Sequence, residues 1–239
     1  MFETWLWRAN LTMSSSVFET LTSQQQEAIL THLDCVMEAN KITNLTRIDD
    51  KESALILHVE DSLSALAEIE DSPLGLYGDM GTGAGYPGIP LAIATGRKTM
   101  LIDAREKKVK VLDGIIETLD LTDQISTYAG RVELLARKKP GAFTVLTARA
   151  LAKLSVLLEL ASPLLAKKGC LICYKAQISD EELNDAMRVQ SIVGMTLKSD
   201  RSFVLSDGVT KRRIVVFEKT GKPQIKLPRL EGKAQKDPL

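Results

Sequence analysis

The spacing of apolar residues changes near residue 74 of the chain. Before that point, apolar positions recur every three or four residues, which is the pattern of an amphipathic α-helix. The pattern predicts one helix over SQQQEAILTHLDCVMEAN, capped by Ser23, and a second over DDKESALILHVEDSLSALAEI, capped by Asp49 or Asp50. The polar connector KITNLTRI joins them.

Beyond residue 74, short apolar runs alternate with helical patterns. The predicted strands are a short run ending at Asp79, then KTMLIDA, ISTYAG, AFTVLTARA and CLICYKA, and a helical pattern follows each. One of these helices spans LAKLSVLLELASPLLAKKG and is closed by Gly169. The last runs, RSFVLSD and KRRIVVFEKT, predict an antiparallel pair. We therefore expect a Rossmann-like α/β fold, with a mainly parallel seven-stranded sheet, an antiparallel closing strand and an N-terminal helical appendage.

These patterns divide the chain into an N-terminal helical region over 1–73, a catalytic domain over 74–221 and a basic tail over 222–239. The tail is rich in proline and lysine, so we expect it to be extended or disordered in isolation. Met13 is an alternative start, which would make residues 1–12 an unstructured extension.

Composition places the chain among ordinary globular proteins. Of its 239 residues, 44% are hydrophobic and 26% are charged, and no apolar run is long enough for a transmembrane helix. The first residues lack the basic start of a signal peptide, so we expect a cytoplasmic protein. Cys170 and Cys173 form a C-x-x-C inside a predicted strand, where side chains three positions apart point to opposite faces. Packing is therefore a better explanation for them than metal binding.

The formal net charge is zero, but the charges are unevenly distributed. Residues 1–80 hold 4 Lys and Arg against 14 Asp and Glu, whereas residues 198–239 hold 11 against 5. A basic C-terminal part fits contact with a polyanion, although a solvated surface is the simpler explanation of charge alone.

The most informative stretch is DMGTGAGYPGIPLAIA, which begins at Asp79. Gly83-x-Gly85-x-x-Gly88 matches the fingerprint of dinucleotide-binding loops, and Asp103 lies 20 residues beyond Gly83, where such loops have an acid that binds a ribose. An NAD(P)-dependent oxidoreductase is one interpretation.

Three features favour S-adenosylmethionine over a dinucleotide. The carboxylate of Asp79, before the first glycine, suits the ammonium group of a methionine and repels phosphate. Pro87 and Pro90 remove N–H donors that a pyrophosphate requires. The antiparallel closing pair leaves no second mononucleotide-binding half. In this interpretation Asp103 accepts both ribose hydroxyls, and the segment GRVE at 130–133 flanks the adenine.

Several motifs together resemble one family. They are NLT at 44–46, HVEDSL at 58–63, DMGTGAGYPGIPLAI at 79–93, LID with KK at 101–108, GRVE at 130–133, TARALAKL at 147–154, YK at 174–175 and PRLEGKAQKDPL at 228–239. From about residue 20 to its end, the chain resembles the bacterial small-subunit rRNA guanine-N7 methyltransferases, known as RsmG or GidB. The resemblance implies a class I S-adenosylmethionine-dependent methyltransferase that modifies a guanine in a loop of 16S rRNA.

The resemblance also implies which residues bind the cofactor. It places Gly81, Tyr86, Val132, Glu133 and Arg149 at the S-adenosylmethionine site. With the residues argued above, the candidate cofactor-binding set is Asp79, Gly81, Gly83, Gly85, Tyr86, Asp103, Val132, Glu133 and Arg149.

The candidate catalytic residues are His58, Asp61 and Arg149. His58 and Asp61 are three residues apart on a helix and share one face, so they either orient the target base or hold the helix to the catalytic domain. Thr144 stands where the family usually has Asp. That departure keeps open a catalytically inactive RNA-binding relative, although a residue that only caps a strand explains it as well.

The implied reaction requires no general base. Guanine N7 carries a free lone pair and no proton, so it attacks the sulfonium methyl in line and catalysis depends on approach and orientation. In A-form RNA the N7 edge lies in a groove too narrow for side chains, so the target guanine must lie in a loop or be turned out of its stack.

The expected partner is 16S rRNA or the small ribosomal subunit, and we expect a monomer without metal or membrane contact. The candidate RNA-binding residues are Lys175, Lys211, Arg212, Arg213, Lys226, Arg229, Lys233 and Lys236. We expect the tail to become ordered on the RNA, so its deletion should weaken RNA binding and leave cofactor affinity intact.

Overall fold

The computed structural model describes residues 17–239, so the expectation about Met13 and residues 1–12 lies outside the described residues. The strands are β1 Tyr77–Met80, β2 Thr99–Asp103, β3 Ile125–Ala129, β4 Phe143–Arg149, β5 Leu165–Lys175, β6 Met195–Val204 and β7 Lys211–Lys219. They form one sheet in the order β3-β2-β1-β4-β5-β7-β6, in which β7 runs antiparallel to both neighbours and the other pairs are parallel. The predicted seven-stranded sheet with an antiparallel closing strand is confirmed.

Helices cover the sheet and precede it in the chain. They are α1 Ser23–Asn40, α2, α3 Leu66–Glu70, α4 Gly88–Thr95, α5 Glu106–Thr118, α6 Val132–Lys138, α7 Leu154–Ala161, α8 Asp180–Ile192 and α9 Lys233–Lys236, with a 3₁₀ turn at Val17–Thr20. Helix α2 has three parts: Lys51–Ala54, a π-helical segment Leu55–Glu60, and Asp61–Leu63.

Three details of the predicted helices are wrong. The N-cap of α1 is Thr22 rather than Ser23, because Thr22 and Gln25 form a reciprocal capping box. The second predicted helix is interrupted between α2 and α3, where the hydroxyls of Ser62 and Ser64 bond to carbonyls of the preceding turn and bend the helix. Helix α7 ends well before Gly169, because Pro163 stops it and the chain enters β5.

The N-terminal helices share their core with the sheet. Ile29 and Leu33 of α1 and Leu63 of α2 are each at most 1% exposed and belong to one apolar cluster with Ile89 of α4 and Leu101 of β2. Burial of this surface, at roughly 25 cal/mol per Å², fixes the helices against the cofactor-loop side of the sheet.

The C-x-x-C motif is a packing feature, as predicted. Cys170 and Cys173 are both buried in β5, and they belong to different apolar clusters on the two faces of the sheet.

The C-terminal tail departs from its prediction. Residues 226–239 pack on the domain and include the short helix α9, whose Ala234 is 2% exposed against Val156 and Leu160. Arg229 forms a double hydrogen bond with the carboxylate of Glu159, at 2.6 Å for each pair of atoms. The expectation of a tail that is disordered in isolation is therefore wrong, because composition alone does not show the buried acid that Arg229 pairs with.

Across residues 17–239, no helix is both long enough and apolar enough to cross a bilayer.

Candidate active site

The candidate site lies along one edge of the sheet, formed by the carboxyl ends of the parallel strands, which we call the carboxyl edge. The strand register aligns Met80 of β1 with Ile102 of β2 and with Ala148 of β4. The glycine loop after β1, Asp103 and Arg149 are thus brought side by side. The strand order also reverses between β1 and β4, which is where open α/β sheets form ligand-binding crevices.

The glycine loop is built for close approach by a ligand at one position. Gly81, Gly83 and Gly85 have φ angles of 72°, 61° and 89°, a region that residues with a Cβ rarely adopt. A Cβ at Gly81 would lie 2.8 Å from Leu151, so that position is closed by packing. A Cβ at Gly83 would meet only a carbonyl oxygen at 3.9 Å, so its face is open.

The N–H groups of the loop are used inside the protein. Gly81 and Thr82 donate to the carbonyl of Ile102, and Gly83 donates to Oδ2 of Asp103 at 3.1 Å. The remaining donors with partners are Gly85, Tyr86, Gly88 and Ile89. A loop arranged in this way has few donors to offer a pyrophosphate, in contrast to a dinucleotide cradle.

Asp103 is the acid best placed to meet a ligand. Its carboxylate is half-buried and accepts hydrogen bonds from the N–H groups of Gly83 and Arg105, at 3.1 and 2.8 Å. Each oxygen keeps a further lone pair, because a carboxylate has about four acceptor sites. The residues therefore fit a nucleoside whose ribose hydroxyls donate to Asp103 beside the open face of Gly83.

Asp79 holds the loop in place and is not exposed to a ligand. Its side chain has no accessible surface, and it accepts hydrogen bonds from the Thr147 hydroxyl at 2.7 Å and the Gly88 N–H at 3.0 Å. Because Thr147 donates to Asp79, the Tyr77 hydroxyl must donate to Thr147, at 2.7 Å. Burial raises the pKa of Asp79, while the bonds from Thr147 and Gly88 lower it. The carboxylate of Asp79 thus faces inward, onto Thr147 and Gly88, and its contact with an ammonium group stays a prediction.

Tyr86 lies between the two histidines of the chain. Its ring stacks on His58 with centroids 4.6 Å apart, and it contacts His32 at 4.4 Å. Burial lowers the pKa of His32 to about 3 and that of His58 to about 4, with the positive charge of Arg149 adding to the effect on His58. Both rings are therefore neutral at pH 7 and act as packing surfaces beneath the loop.

His58 lies in the π-helical segment of α2 and Asp61 directly after it, and the two side chains bind different partners. Nε2 of His58 lies 3.0 Å from the Thr46 hydroxyl. Asp61, with a side chain 3% exposed, pairs with Arg149 at 2.9 Å and with Arg212 at 3.0 Å. Asp61 thus connects α2 to β4 and β7 and fixes the Arg149 guanidinium at the carboxyl edge.

Val132 and Glu133 begin α6 directly after β3, at the same edge. Glu133 is 6% exposed, and its Oε1 accepts a hydrogen bond from the N–H of Gly232 in the tail at 2.7 Å.

The candidate RNA-binding residues fall into two groups. Four have acidic partners: Lys175 with Glu182, Arg212 with Asp61, Arg213 with Asp200 and Arg229 with Glu159. Lys211, Lys226, Lys233 and Lys236 are exposed, and of these Lys233 lies 3.4 Å from Asp237. The side chains of the first group are therefore engaged within the fold, whereas those of the second group extend into solvent.

A groove of about 510 Å³ adjoins the carboxyl edge. It is lined by the segment after β5 (176–178), the end of β6 (202–204) and the start of β7 (211–213). The groove combines an aromatic ring, Phe203, with basic side chains, which suits an unstacked nucleotide.

Thr144 is far from this edge. It is the second residue of β4, and its hydroxyl donates to the Leu76 carbonyl at 3.3 Å. Five strand residues separate it from Arg149, a distance of about 16 Å. The departure from the family pattern at Thr144 therefore lies outside the site, which removes the one observation that favoured an inactive relative.

Three residues of the site neighbourhood were missed by sequence reasoning: His32, Thr46 and Thr147. Thr46 and Thr147 lie within the motifs NLT and TARALAKL, so the sequence marked these positions. It did not show which side chains they contact. His32 gave no signal, because it contacts Tyr86 only through the tertiary fold.

Solved structures of other proteins share this fold. The O-methyltransferase from Bacillus cereus, solved with SAH, aligns with a TM-score of 0.54 over 85% of this chain and 100% of that chain, at 18% identity. A geranyl diphosphate methyltransferase solved with SAM aligns with a TM-score of 0.53 over 67% of this chain and 86% of that chain, at 10% identity. These likenesses show that the chain has the Rossmann-like fold of class I methyltransferases.

Sequence comparison narrows the class to one family. The profile of the family described as rRNA small subunit methyltransferase G matches residues 25–212. The chain is 37% identical to the ribosomal RNA small subunit methyltransferase G of Acetivibrio thermocellus, over 92% of this chain and 90% of that protein. It is 34% identical to the protein of the same name from Bacillus pumilus, over 92% and 93% of the two chains. The chain belongs to the rRNA small subunit methyltransferase G family, as the motif resemblance predicted, and the dinucleotide-dependent alternative is not supported.

Proposed function

We propose that this protein transfers the methyl group of S-adenosylmethionine to N7 of a guanine in small-subunit rRNA. The observation that carries the proposal is the carboxyl edge. It holds the open face of Gly83 and the acceptor Asp103 after β1 and β2 and, beyond β4, a groove at β5, β6 and β7 that is lined by Phe203 and basic residues. The relatives that carry the name ribosomal RNA small subunit methyltransferase G support the same substrate.

The residues divide the task between binding and orientation. Asp103 would hold the ribose, Val132 and Glu133 the adenine, and the backbone at Gly83 the methionine portion of the cofactor. Bound there, S-adenosylmethionine supplies an electrophilic methyl group on a sulfonium. Arg149, fixed by Asp61, then lies where it can position the incoming base. Because N7 carries no proton, both histidines can remain buried and neutral without loss of function.

The substrate RNA would lie along the carboxyl edge and the exposed lysines of the C-terminal part. Lys211 lies at the groove, and Lys226, Lys233 and Lys236 extend the positive charge along the tail. We propose that the protein acts in the cytoplasm as a monomer. Its functional regions are then the helical region 1–73, the catalytic domain 74–221 and the tail 222–239.

The test is methyl transfer with labelled S-adenosylmethionine, using purified small ribosomal subunits and protein-free 16S rRNA as substrates. Borohydride reduction followed by aniline cleaves RNA at N7-methylguanosine, so the label should coincide with one cleavage site. Methylation that yields no aniline-sensitive site would overturn the assignment to N7. The substrate that accepts the methyl group also tells whether the assembled particle is required.

A matched pair of variants tests the cofactor assignment. Asp103→Asn removes the charge that would accept the ribose hydroxyls, and it should raise the Kd for S-adenosylmethionine roughly tenfold. Asp113→Asn changes an exposed carboxyl on α5 and should leave that Kd unchanged. Titration with NAD⁺ and NADH should give no binding, and binding of a dinucleotide alone would refute the proposed function.

A further inference from the structure

The tail reaches the cofactor end of α6. The N–H of Gly232 donates to Oε1 of Glu133 at 2.7 Å, and Glu133 is 6% exposed. We propose that the C-terminal segment 226–239 is a positioning element of the cofactor site, which holds the Glu133 carboxylate in its binding orientation. The proposal rests on the proposed function, because that assigns Glu133 to the adenine end of the cofactor.

Gly232 is shaped for this contact. Its φ angle is +70°, and a Cβ there would lie 2.7 Å from the guanidinium of Arg131, the residue that precedes α6. Because the end of the Arg131 side chain can move aside, the positive φ is the feature that favours glycine at this position of the tail. A buried carboxylate that accepts a backbone N–H loses rotational freedom, so the bond selects one orientation of Glu133.

Two anchors keep Gly232 at this position. On one side, Arg229 makes two 2.6 Å hydrogen bonds to Glu159 of α7, and Nη2 of Arg229 also donates to the Asp237 carbonyl at 2.8 Å. On the other side, Ala234 of α9 is buried against Val156 and Leu160. The tail is therefore held at both ends of the contact. The proposal predicts the opposite of the expectation drawn from the sequence, in which loss of the tail leaves cofactor affinity intact.

Coupling between two sites is reciprocal. If docking of the tail strengthens cofactor binding, then cofactor binding must stabilise the docked tail by the same factor. This second consequence can be measured on the unaltered protein.

The experiment compares two variants that place the same new charge on the same short helix. Ala234→Asp buries a carboxylate and should undock the tail, whereas Gln235→Asp places it at an exposed position. By calorimetry, Ala234→Asp should raise the Kd for S-adenosylmethionine roughly tenfold. Gln235→Asp should leave the Kd within about twofold of the original value.

A truncated ligand locates the effect. 5′-Methylthioadenosine has the adenosine part of the cofactor without the amino acid, so Ala234→Asp should weaken its binding by the same factor. Loss for S-adenosylmethionine without loss for 5′-methylthioadenosine would overturn the route through Glu133. A tail that only stabilises the fold would lower the melting temperature and leave both Kd values unchanged, which would also overturn the proposal.

Hydrogen exchange on the unaltered protein covers the case in which Ala234→Asp does not fold. S-Adenosylhomocysteine should slow amide exchange across 226–239, and unchanged exchange at saturating ligand would contradict the proposal. The two proposals fail separately. An unaltered protein that binds none of these ligands refutes the proposed function, whereas equal binding by both variants refutes only the role of the tail.

Discussion

At the scale of single residues, Asp61 is the buried carboxylate of the site that forms two ion pairs. It is nearly fully buried and pairs with Arg149 and Arg212, which come from two different strands. Replacing a buried partner leaves the other charges uncompensated, which costs more than the pair contributes. Asp61→Asn should therefore lower the free energy of unfolding by about 3 kcal/mol and reduce methyl transfer. Urea unfolding and a single-turnover assay measure the two effects.

The control for Asp61 is an ion pair in solvent. Glu38 and Lys41 are 2.5 Å apart on α1, with side chains 72% and 69% exposed. Glu38→Gln should change the free energy of unfolding by less than about 0.5 kcal/mol, because water and salt screen such pairs. If Asp61→Asn and Glu38→Gln lowered the free energy of unfolding equally, the buried ion pairs of Asp61 would contribute no more to stability than an exposed pair.

The two buried histidines predict how stability depends on pH. Their folded pKa values, about 3 for His32 and about 4 for His58, lie below the ordinary value of 6.5. The unfolded chain then binds more protons than the folded protein between pH 6.5 and these values. The stability due to the neutral rings is fully present above pH 6.5 and is lost as the pH falls. Each histidine should contribute a slope of up to about 1.4 kcal/mol per pH unit.

Because the chain has two histidines in all, the assignment of this slope can be tested directly. Urea unfolding of the double variant His32→Gln, His58→Gln should give a free energy that varies less with pH between about 4.5 and 6.5 than that of the unaltered protein. An unchanged slope would assign the pH dependence to carboxylates.

At the scale of elements, the sequence predicted which segments form but not how their ends are arranged. Period and apolar runs placed the strands of the sheet, because burial on two faces leaves a strong pattern. The break between α2 and α3 depends on the serine bonds, and the end of α7 depends on Pro163; the apolar period shows neither. The docking of the tail was not predictable either, since it depends on the Arg229–Glu159 pair formed across 70 residues.

Within the glycine loop, different glycines are expected to control the stability of the fold and the binding of the cofactor. A Cβ at Gly88 would lie 2.4 Å from Leu101 and 2.9 Å from Asp79, so Gly88→Ala should overpack the turn and cost about 2 kcal/mol. Gly83→Ala meets open space and should cost about 1 kcal/mol, from its positive φ alone. The Kd for S-adenosylmethionine should show the opposite order and rise more for Gly83→Ala, because the new methyl group blocks the approach of the cofactor to the backbone. Thermal unfolding and calorimetry of both variants would show this inversion, and parallel losses would argue against an open face at Gly83.

At the scale of the whole molecule, acidic and basic residues are concentrated in different parts of the chain, and the fold places the basic part at the carboxyl edge. The acidic residues of 1–80 are concentrated in the helical region, whereas basic residues of the C-terminal part reach the carboxyl edge through β7 and the tail. The sequence predicted the asymmetry, but not which lysines and arginines remain unpaired. Ion pairs formed at the fold level decide that, as with Arg213 and Asp200.

The salt dependence of RNA binding tests this arrangement. Lys211 is exposed at the groove, so Lys211→Gln should weaken binding of small-subunit rRNA and reduce the slope of log K against log salt by about 0.7 to 0.9, the loss of one phosphate contact. Lys167→Gln also removes one positive charge, but near the amino-terminal end of β5, away from the carboxyl edge. It should leave the slope unchanged. The Kd for S-adenosylmethionine should be the same in both variants. Equal effects of the two variants on the slope would mean that RNA responds to net charge and not to a surface at the carboxyl edge.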